Sequence, residues 1–160
     1  MRKRWLPYLF SILLALIVGL APAVMTRSKA ALYADLNLPW LSPPMWVFPV
    51  VWTLFYASLG WSMAKVWQRE VRERKKAAIF YAVQFAMNVL WVFFFFQWQM
   101  YLFSFFWLVA LAMTAAHMVE KFRLVSDTAA NLQIPYVAWL VYAVYLNFGV
   151  YLLNGAPVKI

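Results

Sequence analysis

The chain has 160 residues, of which 67% are hydrophobic and only 12% are charged. Soluble domains are nearer half apolar and a quarter charged, so this composition excludes a soluble globular protein and a nucleic-acid-binding domain. The net charge of +9 therefore indicates contact with lipid headgroups. The absence of cysteine and the single histidine exclude disulfides, thiolate chemistry and a metal site with several histidines.

Five long apolar stretches predict membrane-spanning helices, because about 20 apolar residues are needed to cross the hydrocarbon core. They are residues 5–25, 45–65, 77–96, 100–119 and 132–153. Each stretch is continuously apolar rather than alternating, which favours helices over the strands of a membrane barrel. The sequence thus predicts an all-α integral membrane protein, a five-helix bundle that forms one domain over residues 1–160.

The first stretch has a second interpretation. Arg2, Lys3 and Arg4, followed by an apolar run and by Ala21–Ala23, are also the pattern of a signal peptide with a small-residue cleavage site. The apolar run is as long as a full span, and Pro22 separates the two alanines. We therefore expect a retained helix whose last turn is distorted by Pro22.

The first connection, residues 26–44, is the longest, and it is stiffened by prolines and rich in aromatic residues. Connections longer than about 12–15 residues are often lids or binding loops. We expect this loop to act as a lid over one end of the bundle.

Lysine and arginine residues predict the orientation in the membrane. Eleven of them lie at the N-terminus and in the connections 65–76 and 121–123, which fall on one side of the bilayer. The other side carries only Arg27, Lys29 and Lys159. The sequence therefore predicts a multi-pass protein of the cell membrane with a cytoplasmic N-terminus and an external C-terminus.

Aromatic and amide side chains share one face in three of the predicted helices. The stripes are Trp52 and Tyr56 in the second, Gln84, Asn88 and Trp91 in the third, and Tyr136, Trp139, Ala143 and Asn147 in the fifth. Amides in hydrocarbon must be hydrogen-bonded, so they either join helices or face a cavity. Tryptophans this deep in a span are not explained by an interfacial belt. Together the stripes favour a pocket for a flat ligand.

Small residues form another stripe on the third predicted helix, at Ala78, Ala82 and Ala86. Such a stripe lets two helices approach closely. Two interpretations stay open, which are close packing inside the bundle and the seam of a homodimer. The spans contain no charged residue except Lys65 at one end, so the only candidate groups there for acid–base catalysis are His117 and the tyrosine hydroxyls. We expect His117, near the inner end of the fourth span, to bond to backbone or water instead.

Three sequence blocks resemble the TspO/MBR family of tryptophan-rich sensory and translocator proteins. They are Leu36–Thr53, Asn88–Trp91 with Phe94 and Phe95, and Pro135–Trp139 followed by Ala143, Leu146 and Asn147. Their order and spacing match over nearly the whole chain. The resemblance implies a five-helix membrane protein, commonly a dimer, that binds porphyrins such as protoporphyrin IX. We expect the porphyrin to be a ligand, with no cofactor or metal required.

The resemblance also implies the binding residues. Tyr33 and Trp40 would belong to the lid, Pro43, Pro44 and Trp46 to the pocket rim, and Trp52, Asn88, Trp91, Trp139, Ala143 and Asn147 to the cavity. Animal members carry a sterol motif that needs a basic residue shortly after a tyrosine. Tyr151 has none within five positions, which argues against sterol binding here.

The leading hypothesis is a membrane sensor or carrier that binds porphyrins and other flat apolar ligands. Asn88 and Asn147 would contact the ligand, and Arg27 or Lys29 would meet its carboxylates. Two alternatives remain. One is light-dependent porphyrin breakdown at Trp52 and Trp139, which match the tryptophans associated with that activity in the family. The other is a scaffold that regulates a partner without any ligand.

Overall fold

The computed structural model describes residues 5–26 and 35–155, and these residues contain helices and no strand. The helices are α1 (Leu6–Met25), α2 (Val47–Trp67), α3 (Glu73–Val92), α4 (Tyr101–Arg123), α5 (Asp127–Asn131) and α6 (Ile134–Asn154). A π-helical turn, Phe93–Gln97, extends α3. Five segments are long and apolar enough to cross a membrane, with α5 and α6 forming the fifth. The prediction of an all-α bundle with five spans is confirmed.

Two helices extend four residues beyond the predicted spans. Helix α3 begins at Glu73 rather than at residue 77, and α4 continues to Arg123 rather than ending at residue 119. Hydropathy marks only the part of a helix that lies in hydrocarbon, whereas backbone hydrogen bonds continue into charged turns that water solvates. The fifth segment begins with α5, where the Ser126 hydroxyl caps the helix by accepting from the Ala129 amide.

Helices α1 and α2 pack against each other along most of their length, and Gly60 lies at their closest approach. A methyl group at this position would stand 2.6 Å from both the Ile12 Cα and the Ser11 carbonyl oxygen. Because both neighbours are backbone atoms, no side chain can rotate to make room. Only glycine permits this crossing.

The remaining spans form a second group in which α4 packs on both α3 and α6. The side chains along the buried face of α4 are completely enclosed, namely Leu108, Leu111, Ala115, Met118 and Phe122. Large apolar side chains cover the outside of the bundle, such as Phe10, Ile17, Leu54 and Val141, each at least 60% exposed. An apolar exterior around a packed interior is the arrangement of a protein whose solvent is lipid.

Candidate ligand-binding site

A cavity of about 520 Å³ opens between α1, α2 and the end of α3. Its size falls within the roughly 300–1,000 Å³ that is usual for small-molecule sites. The walls are almost wholly apolar. They are lined by Gly19, Leu20, Ala23, Thr26, Met45, Trp46, Phe48, Pro49, Trp52, Tyr56, Trp91, Val92 and Phe96.

Trp52 is the central aromatic residue of this wall. Its ring stacks on Tyr56, one turn further along α2, with centroids 5.5 Å apart and an angle of 24° between the planes. The Trp91 ring of α3 lies 6.3 Å away on the same side of the bundle. Of the residues predicted to bind a ligand, Trp46, Trp52 and Trp91 line this cavity.

Asn88 is part of a buried hydrogen-bond network that joins three helices beneath the cavity. The Tyr56 hydroxyl donates to Asn88 Oδ1 at 2.8 Å, and Asn88 Nδ2 donates to the Tyr136 hydroxyl at 3.1 Å. Tyr136 in turn donates to Gln84 Oε1 at 2.8 Å. Asn88 does not line the cavity, and its amide holds α2, α3 and α6 together.

Asn147 also bonds to protein groups rather than facing the cavity. Its Oδ1 accepts from Trp91 Nε1 at 3.1 Å, and its Nδ2 donates to the Tyr101 carbonyl oxygen at 2.8 Å. These bonds fix the orientation of the Trp91 indole, whose ring forms part of the cavity wall. Ala143, one turn before Asn147, is buried in the same face of α6.

The structure separates Trp139 from Trp52. The Trp139 ring contacts Phe48 and Phe55 of α2 at 6.2 and 6.1 Å between centroids, and Phe55 lies between the two tryptophans. Trp139 Nε1 is buried without a hydrogen-bond partner among the described residues. Trp139 therefore packs on the side of α2 that faces α6, outside the set of residues lining the cavity.

The described part of the first loop is fastened to α6. The hydroxyls of Tyr145 and Tyr142 donate to the carbonyl oxygens of Trp40 and Leu41. Nearer its start, the loop exchanges two hydrogen bonds of 2.9 Å with the Asn154 side chain through the backbone of Asn37. The described part of the loop thus follows the C-terminal half of α6.

Close packing adds to this attachment. The Pro39 ring lies against Gly149, where a methyl group would come within 2.5 Å of the proline Cβ. The Trp40 ring itself is 83% exposed, while Pro43 is half-buried and Pro44 is exposed. Among the described residues of the connection, Thr26 at its start and Met45 and Trp46 at its end line the cavity. Tyr33, Arg27 and Lys29 lie outside the described residues.

The chemistry of the lining favours stacking over ionic contacts. Among the described residues, none of those that line the cavity carries a charge. The hydroxyl groups of Thr26 and Tyr56 donate to Pro22 and Asn88, so both donors are already used. Aromatic faces and aliphatic surface remain, which suit a flat apolar ring system.

Sequence reasoning missed the contribution of α1. Gly19, Leu20 and Ala23 line the cavity, and a methyl group at Gly19 would lie 2.6 Å from the Tyr56 ring. The signal was present, since Gly19 and Ala23 are small residues one helical turn apart in an otherwise bulky helix. Small residues at this spacing mark the face where another element approaches.

The alanine stripe of α3 turns away from the cavity. Ala78 is half-buried, and both Ala82 and Ala86 are exposed. Val83 and Leu90 extend the same outward apolar surface. This surface is free in the single chain.

Comparisons with known proteins agree with the five-span architecture. A family model described as "TspO/MBR family" matches residues 11–153. The "Tryptophan-rich protein TspO" of Chlorobaculum tepidum is 33% identical, with 96% of this chain and 99% of that protein aligned. A protein of the same name from Archaeoglobus fulgidus is 31% identical over 91% of this chain and 95% of its own length. The "Translocator protein" of Bos taurus is 30% identical, covering 92% of this chain and 90% of that one.

Proposed function

The chain belongs to the TspO/MBR family of multi-pass membrane proteins, and on this basis we propose that it binds porphyrins in the cavity between α1, α2 and α3. The observation that carries the proposal is the aromatic wall formed by Trp52, Tyr56 and Trp91. A flat macrocycle stacks on such rings and gains about 0.5–1.5 kcal/mol per aromatic pair beyond the burial of its area.

The described part of the lining carries no charge, and the proposed orientation of the ligand follows from this. A porphyrin carboxylate inside the cavity would be desolvated without a cationic partner, which costs several kcal/mol. The apolar edge of the ring therefore enters first, and the carboxylates stay at the mouth beside Trp46, whose side chain is 67% exposed. Arg27 and Lys29 follow α1 in the sequence and are the nearest basic residues along the chain to receive them.

The hydrogen-bonded amides have a positioning role in this proposal. Asn147 fixes the Trp91 indole, and Asn88 fixes the Tyr56 ring, before any ligand arrives. Side chains that are already ordered lose little conformational entropy when they bind. In this proposal, Asn88 and Asn147 position the aromatic rings, whereas the sequence led us to expect that these amides contact the ligand directly.

Filling the cavity is expected to abolish porphyrin binding. In Ala23→Phe, a benzyl group occupies the space beside Trp52 without removing any tryptophan from the chain. The purified variant is titrated with protoporphyrin IX, and binding is measured by the quenching of tryptophan fluorescence. Its affinity should be at least about tenfold weaker than that of the wild type, equivalent to about 1.4 kcal/mol.

The matched control for this experiment is Ala21→Phe. Ala21 is exposed, lies two residues away on the same helix and does not line the cavity, so its variant should bind like the wild type. Equal affinities of both variants and the wild type would place the porphyrin elsewhere and refute the proposed site.

We further propose the orientation in which the N-terminus and the two basic connections are cytoplasmic. In this arrangement, the cavity opens toward the outside of the cell membrane. An enzymatic reporter that is active only after export, fused to the C-terminus, should be active in whole cells. The same reporter placed between α2 and α3, after Gln68, should be silent, and the reverse pattern would overturn the orientation.

The outward alanine stripe of α3 is proposed as a homodimer seam. A tryptophan at Ala82 would hold two such faces apart, so crosslinking of the membrane-embedded protein should shift from dimer to monomer. Met113→Trp, on the exposed face of α4, offers a lipid-facing control that introduces the same side chain. An unchanged dimer in Ala82→Trp would exclude this seam.

A further inference from the structure

A second opening of about 740 Å³ lies at the other end of the bundle, where the basic connections are. It is a lateral groove between α1, α2 and α5, and it shares no lining residue with the aromatic cavity. Ile12, Ala57 and Trp61 form its apolar wall, and Asp127, Thr128 and Asn131 form its polar end. We call it the basic-end groove.

The depth of the groove matches one leaflet of a bilayer. Ala57 lies ten residues before the end of α2 at Trp67, which corresponds to roughly 15 Å at 1.5 Å per residue. The hydrocarbon core is about 30 Å thick, so the groove extends from the interface toward the middle of the membrane. Its apolar wall faces hydrocarbon, and its polar end lies at headgroup level.

Among the described residues, the polar end has an unpaired carboxylate and two cations next to residues that line the groove. The Asp127 carboxylate is exposed and has no hydrogen-bond or ion-pair partner among the described residues. Lys65 Nζ lies 5.0 Å above the Trp61 ring. Arg123 Nη2 donates to Asn131 Oδ1 at 3.3 Å, which places its guanidinium beside the groove.

We propose that the basic-end groove binds one phospholipid with a primary ammonium headgroup, of the phosphatidylethanolamine type. One acyl chain lies along Ile12 and Ala57, the phosphate faces Lys65 and Arg123, and the ammonium donates hydrogen bonds to Asp127. The charges of the groove are thus complementary to a zwitterion, whereas a purely anionic headgroup would bring a negative charge to the Asp127 carboxylate.

The ammonium is the distinguishing feature of this ligand. A carboxylate accepts hydrogen bonds from N–H groups, and a quaternary choline has none. The proposal therefore predicts a preference between two lipids that differ only by three methyl groups. It goes beyond porphyrin binding and does not depend on it, because the two sites are separate.

Native mass spectrometry of the detergent-purified full chain tests the proposal. The protein is mixed with phosphatidylethanolamine or phosphatidylcholine of identical acyl chains, and the fraction that retains one lipid is measured. We expect roughly threefold greater retention of phosphatidylethanolamine, as is typical of one exposed ion pair. Asp127→Asn should bring the ratio close to one, while Asp35→Asn, an exposed carboxylate at the other end of the bundle, should leave it unchanged.

A second variant tests the groove itself. Ala57→Phe fills the space along the apolar wall and should abolish retention of either lipid. If the Ala57→Phe protein does not fold, Asp127→Asn still decides the proposal, because Asp127 is an exposed surface residue. Equal retention of both lipids by the wild type would overturn the inference. So would greater retention of an anionic phosphatidylglycerol, or a lipid preference that survives Asp127→Asn, because each points to general binding at a basic surface.

Discussion

Replacing Trp52 with alanine is expected to cost about 3–5 kcal/mol of unfolding free energy and to weaken protoporphyrin IX binding at least about tenfold. The Trp52 ring contacts Tyr56, Trp91, Phe55 and Tyr136 within the bundle, and it lines the cavity. The substitution removes all four ring contacts and one face on which the ligand would stack. Thermal unfolding by circular dichroism measures the first effect, and the absorption spectrum of the bound porphyrin measures the second.

Trp67→Ala is the control for this prediction. Trp67 ends α2, its ring is 53% exposed and lies under the Arg74 guanidinium, and it is remote from the cavity. Its loss should change stability by no more than about 0.5 kcal/mol and should leave porphyrin affinity intact. If Trp52→Ala bound porphyrin as well as Trp67→Ala does, the ligand would not stack on Trp52.

The second large effect is expected from a single methyl group at Gly60. Gly60→Ala forces the backbone of α1 away from α2, because the new Cβ would overlap Ile12 and Ser11 at 2.6 Å. Overpacking of this kind costs about 1–3 kcal/mol, and the rigidity of both backbones places this site at the upper end. Separation of α1 also widens the aromatic cavity, so porphyrin affinity should fall together with the unfolding temperature.

Val50→Ile is the matched control for Gly60→Ala. It adds one carbon to the same helix, on a side chain that is 49% exposed on the outside of the bundle. Lipid accommodates this carbon, so stability and affinity should stay within about 0.5 kcal/mol of the wild type. A Gly60→Ala protein that unfolded at the wild-type temperature would show that the α1–α2 crossing is looser than the structure describes.

The sequence by itself determined the number and type of the spans. Hydropathy decides which segments enter hydrocarbon, and a backbone in hydrocarbon must satisfy its own hydrogen bonds within a helix. It also pointed to Trp52 and Trp91 as cavity residues, through their depth in the spans, and the similarity to the family's sequence blocks placed Trp46 at the rim; all three line the cavity. The predicted span begins at residue 77, whereas helix α3 begins at Glu73, because charged turns carry no hydropathy signal.

Only the tertiary structure decided what each polar stripe faces. Periodicity places Asn88 on one face of the third span and Asn147 on one face of the fifth. Which side chains each amide contacts depends on how its helix is rotated and where it crosses the other helices. In the fold, Asn88 is hydrogen-bonded to Tyr56 and Asn147 to Trp91, so neither amide faces the cavity. Phe55 packs between Trp139 and Trp52. Small residues at Gly19 and Ala23 mark a face of α1 that another element approaches, but only the fold shows that this element is Tyr56 and that α1 therefore forms part of the cavity wall.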